Sequence, residues 1–80
     1  MYSVYVLRST LFKKSYVGMT NNLDRRLAEH NAGRHVYTKR YMPWEVLYYE
    51  LFKTRVDARA REKYLKSAAG RRFLRQLFLS

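Results

Sequence analysis

An α+β fold, with a three-stranded antiparallel sheet flanked by helices in the order β-β-α-β-α-α, follows from three features of this sequence. Three short runs, YSVYVL, SYVGM and WEVLYYELF, are rich in the β-branched and aromatic residues that suit strands. Three further segments carry helix caps or apolar residues at helical spacing. The chain has 80 residues and no cysteine. That length makes one domain, residues 1–80, and its composition excludes disulfides and thiolate zinc sites.

The elements can be taken in order. Residues 2–7 form the first strand, STLFKK turns the chain, and residues 15–19 return as its antiparallel partner. In TNNLDRRLAEHNAG, Asn21 or Asn22 caps a helix, Asp24 suits its positive first turn, and Gly33 ends it. Residues 34–42 are basic and aromatic without a clear period and read as a loop. Pro43 then precedes WEVLYYELF, the most apolar strand. Thr54 opens a second helix, with Asp57 as its capping-box partner, which runs to about Ser67. Gly70 marks a break, and RRFLRQLFL follows as a short helix with Phe73, Leu74, Leu77 and Phe78 on one stripe. No repeat, linker or low-complexity segment interrupts this order.

Charge points to the partner. Seventeen Lys and Arg against six Asp and Glu leave a net charge of +11, which calls for a polyanion, most commonly nucleic acid. Neutralising about five phosphates would give a log–log salt slope of roughly −4.5. The expected contacts are Arg34, Thr38, Lys39 and Arg40, interleaved with Tyr37 and Tyr41, together with Arg71 and Arg72. A basic amphipathic RRFLRQLFL helix on a membrane surface is the weaker alternative, because that stripe is better used to cover a small sheet. The apolar run after Met1 stops at Arg8, too short for a signal core, so a cytoplasmic protein is expected.

Some polar residues sit where packing alone would not put them. Steps of 100° place Arg26 and His30 on the same helix face as Leu23 and Leu27, while Arg25 and Glu29 point away as an i,i+4 pair. Arg26 either snorkels at the edge of that stripe or has work there, and His30 either serves the helix C-terminus or joins it. On the second helix Glu62 shares a face with Ala58 and Leu65, where a carboxylate needs a cation or strong donors. It is either a structural salt bridge, with Arg26 as one candidate partner, or a metal ligand. No other acid pairs closely with Glu62, which weighs against two-metal hydrolysis. The two histidines lack metal-helix spacing, and no G-x-S-x-G or phosphate-cradling glycine loop is present.

With Tyr5, Tyr16, Arg26 and Glu62 assembled, the sequence resembles the GIY-YIG nuclease superfamily over nearly its whole length. The first motif stands as Ser3-Val4-Tyr5, with Ser3 where glycine is typical, and the second as Tyr16-Val17-Gly18. Arg26 falls where that family carries its catalytic arginine, His30 matches a histidine of several branches, and Glu62 in ARAREKYLK matches the metal-binding glutamate. Met19 replaces a lysine of repair-type members. The resemblance is closest to small stand-alone bacterial proteins of the class, through EHNAGR, the TKR…PWE…YYE stretch and REKYLKSAAGRRFL.

The resemblance implies a metal-dependent endonuclease that hydrolyses phosphodiester bonds in DNA, including branched or damaged DNA of the kind met in DNA repair, with RNA left open. Tyr5 and Tyr16 would aim their hydroxyls at one spot, and a tyrosine, the cation or both would activate the attacking water. A phenol pKa of about 10 makes its use as a base at pH 7 cost roughly 4 kcal/mol, which Arg26 and a cation would reduce. Arg26 would hold the scissile phosphate, and Glu62 would hold one Mg²⁺ or Mn²⁺ ion. Gly18 would allow close approach. A lone domain with short reach along DNA would gain from pairing as a homodimer. The alternative is a basic nucleic-acid-binding module that keeps the nuclease fold but cleaves weakly or only with a partner.

Overall fold

The computed structural model describes residues 1–79. It contains three strands, β1 (Tyr2–Ser9), β2 (Ser15–Thr20) and β3 (Trp44–Phe52), and three α-helices, α1 (Leu23–Asn31), α2 (Arg55–Lys66) and α3 (Ala68–Leu79). The expected α+β order β-β-α-β-α-α is the one observed. The sheet is antiparallel in the order β2-β1-β3. Among the described residues no helix is long and apolar enough to cross a membrane.

Central β1 is covered on both faces, so its residues 3–7 are all buried. Alternation of side chains divides them into two cores. Val4 and Val6 pack with Ala58 and Leu65 of α2 and Leu74 of α3. Tyr5 and Leu7 face the other way, toward Trp44, with Leu23 and Leu27 of α1 against them. The register sets Tyr5 opposite Gly18 on β2 and Tyr49 on β3. A bulge in the β1–β3 pairing falls between Val6 and Leu7.

The caps form as the sequence predicts. Asn22 accepts from the Arg25 amide and Thr54 from the Asp57 amide. Gly33 has φ of 77° just past the end of α1, a conformation that costs glycine little. The last residue of α1, Asn31, does a different job. Its amide takes the Trp44 N–H at 2.7 Å and gives a bond to the Trp44 carbonyl at 3.0 Å, so it pairs with the start of β3 as a short strand would.

Two sequence expectations need correction. Residues 34–42 are not all loop, since Thr38–Tyr41 form a 3-10 helix. It is held from outside: His30 bonds the Thr38 hydroxyl, and the Trp44 indole donates to the Thr38 carbonyl at 2.7 Å. Nor does Gly70 mark a break. The chain turns at Ser67, and α3 already runs through Gly70. A Cβ at Gly70 would lie 2.6 Å from the Leu65 carbonyl carbon and closer still to the Tyr64 carbonyl oxygen. This glycine lets α3 press against the end of α2.

Candidate functional site

The site is built at the β2 side of the sheet, on the α1 face. Because Tyr5 and Gly18 are direct neighbours across the ladder, the Tyr5 ring can lie over β2 only if position 18 has no side chain. A Cβ there would sit 2.6 Å from Tyr5 Cζ, closer to its hydroxyl, and 3.0 Å from Tyr16 Cε2. The missing methyl therefore brings the two phenols together, with ring centroids 6.3 Å apart. Helix α1 adds His30, which is 1% exposed. Its Nε2 lies 3.1 Å from the Tyr5 hydroxyl and its Nδ1 2.8 Å from Thr38 Oγ1.

Sequence reasoning missed His35. It is brought in by the turn after Gly33, its ring centroid is 5.1 Å from that of His30 and 5.2 Å from that of Tyr16, and its Nε2 lies 3.4 Å from the Tyr16 hydroxyl. Its Nδ1 is buried without a hydrogen-bond partner among the described residues. The Tyr37 ring stands 6.2 Å from Tyr16 and extends the cluster. The only sequence signal for His35 was its place in a basic, aromatic stretch without period.

Charge and burial set the protonation states. Burial, then the nearby Arg26 and His35 charges, hold His30 down at about 4, so it is neutral at pH 7. Burial pushes the Tyr5 phenol above its ordinary value, and a hydrogen bond from Arg26 only partly offsets that. The Arg26 guanidinium is itself raised, first by the Tyr5 hydroxyl and also by Glu29. A neutral imidazole has one donor and one acceptor nitrogen. His30 can therefore either accept from the Tyr5 hydroxyl at Nε2 and donate from Nδ1–H to Thr38, or carry both bonds in the reverse sense.

Glu62 comes from α2, on the opposite face of the sheet, yet its charge reaches the Tyr5 hydroxyl and helps to raise it. The residue is 7% exposed. Its oxygens accept from Arg59 and Lys66, each at 3.1 Å, so Arg26, one candidate partner, is not the residue that pairs with it. Arg26 instead pairs with Glu29 at 3.1 Å, which also replaces the expected Arg25–Glu29 pair. Among the described residues no group of three or more His, Cys, Asp and Glu could enclose a metal ion. The donor set nevertheless fits one use of a hard cation. A single carboxylate, whose cationic partners are half-exposed and free to swing away, suits Mg²⁺ or Mn²⁺ that keeps water and substrate phosphate as its other ligands. When bound, such an ion would neutralise charge developing on the phosphate.

The expected nucleic-acid contacts separate. Arg34, Lys39, Arg40, Arg71 and Arg72 are exposed. Thr38 is not a surface contact, because it is completely buried and bonded to His30. Arg71 lines a cleft together with Tyr16, Tyr37 and Lys66. A second, polar cleft beside Arg26 is lined by Arg25 and Arg55 as well.

Known proteins resemble this chain over most of its length. The family model of the GIY-YIG catalytic domain matches residues 1–75. A UPF0213 protein of Clostridium perfringens is 38% identical over 64 residues, which is 79% of this chain and 68% of that protein. A UPF0213 protein of Streptococcus pyogenes serotype M3 is 39% identical over 69 residues, 85% of this chain and 74% of its own. No solved structure matches significantly.

Proposed function

The chain belongs to the GIY-YIG family, and on that premise we propose that it is a metal-dependent endonuclease that hydrolyses phosphodiester bonds in DNA. The observation that carries this reading is the Tyr5–His30 contact at 3.1 Å, with the Arg26 charge acting on the Tyr5 hydroxyl, Tyr16 beside it and a basic cleft on the Tyr16 side. Binding alone needs cations; it does not need two converging phenols tied to histidines.

The two phenols divide the work. Tyr5 is buried, raised and held against His30, which makes it a poor base and a fixed hydrogen-bonding group. Tyr16 is less buried, borders the cleft, and has His35 Nε2 within 3.4 Å as a proton acceptor. In this reading Tyr16 takes the proton of the attacking water and Arg26 stabilises the charge that grows on the phosphate. Glu62 would hold the cation, while Arg59 and Lys66, displaced from it, turn to phosphate oxygens.

A second reading rests on one observation: both Glu62 oxygens are already satisfied by Arg59 and Lys66. That favours a nucleic-acid-binding module in which Glu62 is a structural pair. A cleavage assay on branched and linear DNA with Mg²⁺ or Mn²⁺ separates the two. The endonuclease reading expects cutting that Glu62→Gln abolishes while DNA affinity stays close to wild type. No cutting of any substrate, or undiminished cutting by the variant, removes it.

A further inference from the structure

The stripe Phe73, Leu74, Leu77 and Phe78 on α3 does not serve one purpose. Leu74 is buried, and Phe73 and Leu77 pack against the same core. Phe78 is left out of it, 38% exposed, and faces a separate cleft. Across that cleft stands Phe12 from the β1–β2 turn, 48% exposed, which meets Tyr41 edge-on at 5.6 Å. Two aromatic rings facing one opening with a polar rim form the kind of apolar patch that marks a binding site.

The rim says what the occupant is. Lys13, Lys14 and Arg75 surround the opening, and no carboxylate lines it among the described residues. Lys14 also lies over the Tyr41 ring, while Lys13 and Arg75 have no ion-pair partner among the described residues. An occupant with a flat apolar body and a negative edge satisfies both features, as a nucleobase with its phosphate does.

This cleft also continues the one beside Tyr16. The two share Ser15 and are lined by successive turns of α3, with Arg71 and Leu74 in one and Arg75 and Phe78 in the other. At 1.5 Å per residue Arg71 and Arg75 are separated along the helix by about 6 Å. We infer that the groove between α3 and the β1–β2 hairpin holds an unpaired nucleic-acid strand leaving the Tyr16 cleft, with a base docked between Phe12 and Phe78. The inference rests on the proposed endonuclease reading and adds the strand's path and a docking subsite to it.

The test is equilibrium binding in EDTA, where nothing is cut. The probes are a blunt DNA duplex and the same duplex with a single-stranded tail carrying 2-aminopurine, whose fluorescence falls when it stacks. Wild-type protein is expected to bind the tailed probe more tightly and to quench it. Phe12→Leu and Phe78→Leu keep apolar bulk and remove the stacking face. Each is expected to restore the fluorescence and to weaken tail binding by about 5- to 150-fold. Lys13→Gln and Arg75→Gln, at exposed positions that do not threaten folding, are each expected to flatten the salt slope by about 0.7. Equal affinity for blunt and tailed probes, or no quenching by wild type, overturns the inference. So does an effect of these substitutions on binding to anionic phospholipid vesicles but not to DNA, which would make the cleft a lipid site. Cleavage with Mg²⁺ is scored separately. Cutting without tail preference defeats only this inference, and tail preference without cutting defeats only the endonuclease reading.

Discussion

At the scale of single residues, one absent methyl group organises the site. Gly18→Ala would drive a Cβ into the Tyr5 phenol. We expect a loss of about 1–3 kcal/mol of stability, measured by urea denaturation, with cleavage falling further because Tyr5 and Tyr16 are forced apart. The two phenols should answer differently to loss of their hydroxyls. Tyr5→Phe strips buried His30 Nε2 of its partner and should cost about 1–3 kcal/mol. Tyr16→Phe should leave the melting temperature nearly unchanged and slow cleavage by roughly 10²–10⁴-fold; equal rates for Tyr16→Phe and wild type would return Tyr16 to packing. His30 adds a pH dependence. Its folded pKa of about 4 lies below the ordinary 6.5, so the unfolded chain binds the extra proton. Stability should therefore drop as pH falls from 6.5 to 4, by up to about 3 kcal/mol. His30→Gln should flatten denaturation midpoints across that window. Tyr5, Tyr16, Arg26 and His30 were legible in the sequence as tyrosines paired on two strands and polar residues on an apolar face. His35 was not, because its approach to Tyr16 is made by a turn and leaves no periodic trace.

At the scale of elements, strands and caps were readable because local chemistry fixes them. β1 is apolar at every position the two cores bury, and Asn22 and Thr54 cap with their own side chains. The 3-10 helix at Thr38–Tyr41 was not readable, since what holds it is His30 and Trp44, both distant in sequence or on other elements. Gly70 misled for a related reason. A glycine in a helical pattern suggests a break, yet here it serves a backbone approach to Leu65 that only the packed helices reveal. Gly70→Ala separates the two views. Helix propensity alone would stabilise the variant by about 1 kcal/mol. The Tyr64 and Leu65 backbone atoms in the way cannot swing aside as a side chain would, so we expect net destabilisation of about 1–3 kcal/mol in thermal or urea unfolding. A raised melting temperature would show that α2 and α3 separate at little cost.

At the scale of the whole molecule, the question is which part of a +11 surface meets the substrate. Arg8, Arg26, Arg59, Arg61 and Lys66 are held in ion pairs with the acids. The sequence offered two further groups, Arg34, Lys39 and Arg40 near the 3-10 helix and Arg71 and Arg72 on α3, and all five are exposed. The Tyr16 cleft touches both regions, since Tyr37, just before the 3-10 helix, and Arg71 both line it. A duplex seated at Tyr16 would then engage both groups at once. Each lost duplex phosphate contact should flatten the slope of log affinity against log salt by about 0.9. We expect the pair Lys39→Gln and Arg40→Gln to lower the slope by up to about two such steps, and Arg71→Gln with Arg72→Gln to do the same. The fourfold variant should show the sum, because the groups lie on different elements and share no partner in the described contacts. Fluorescence anisotropy on a blunt duplex in EDTA, titrated at several salt concentrations, reads this directly. An unchanged slope in either pair would place the duplex against the other group alone.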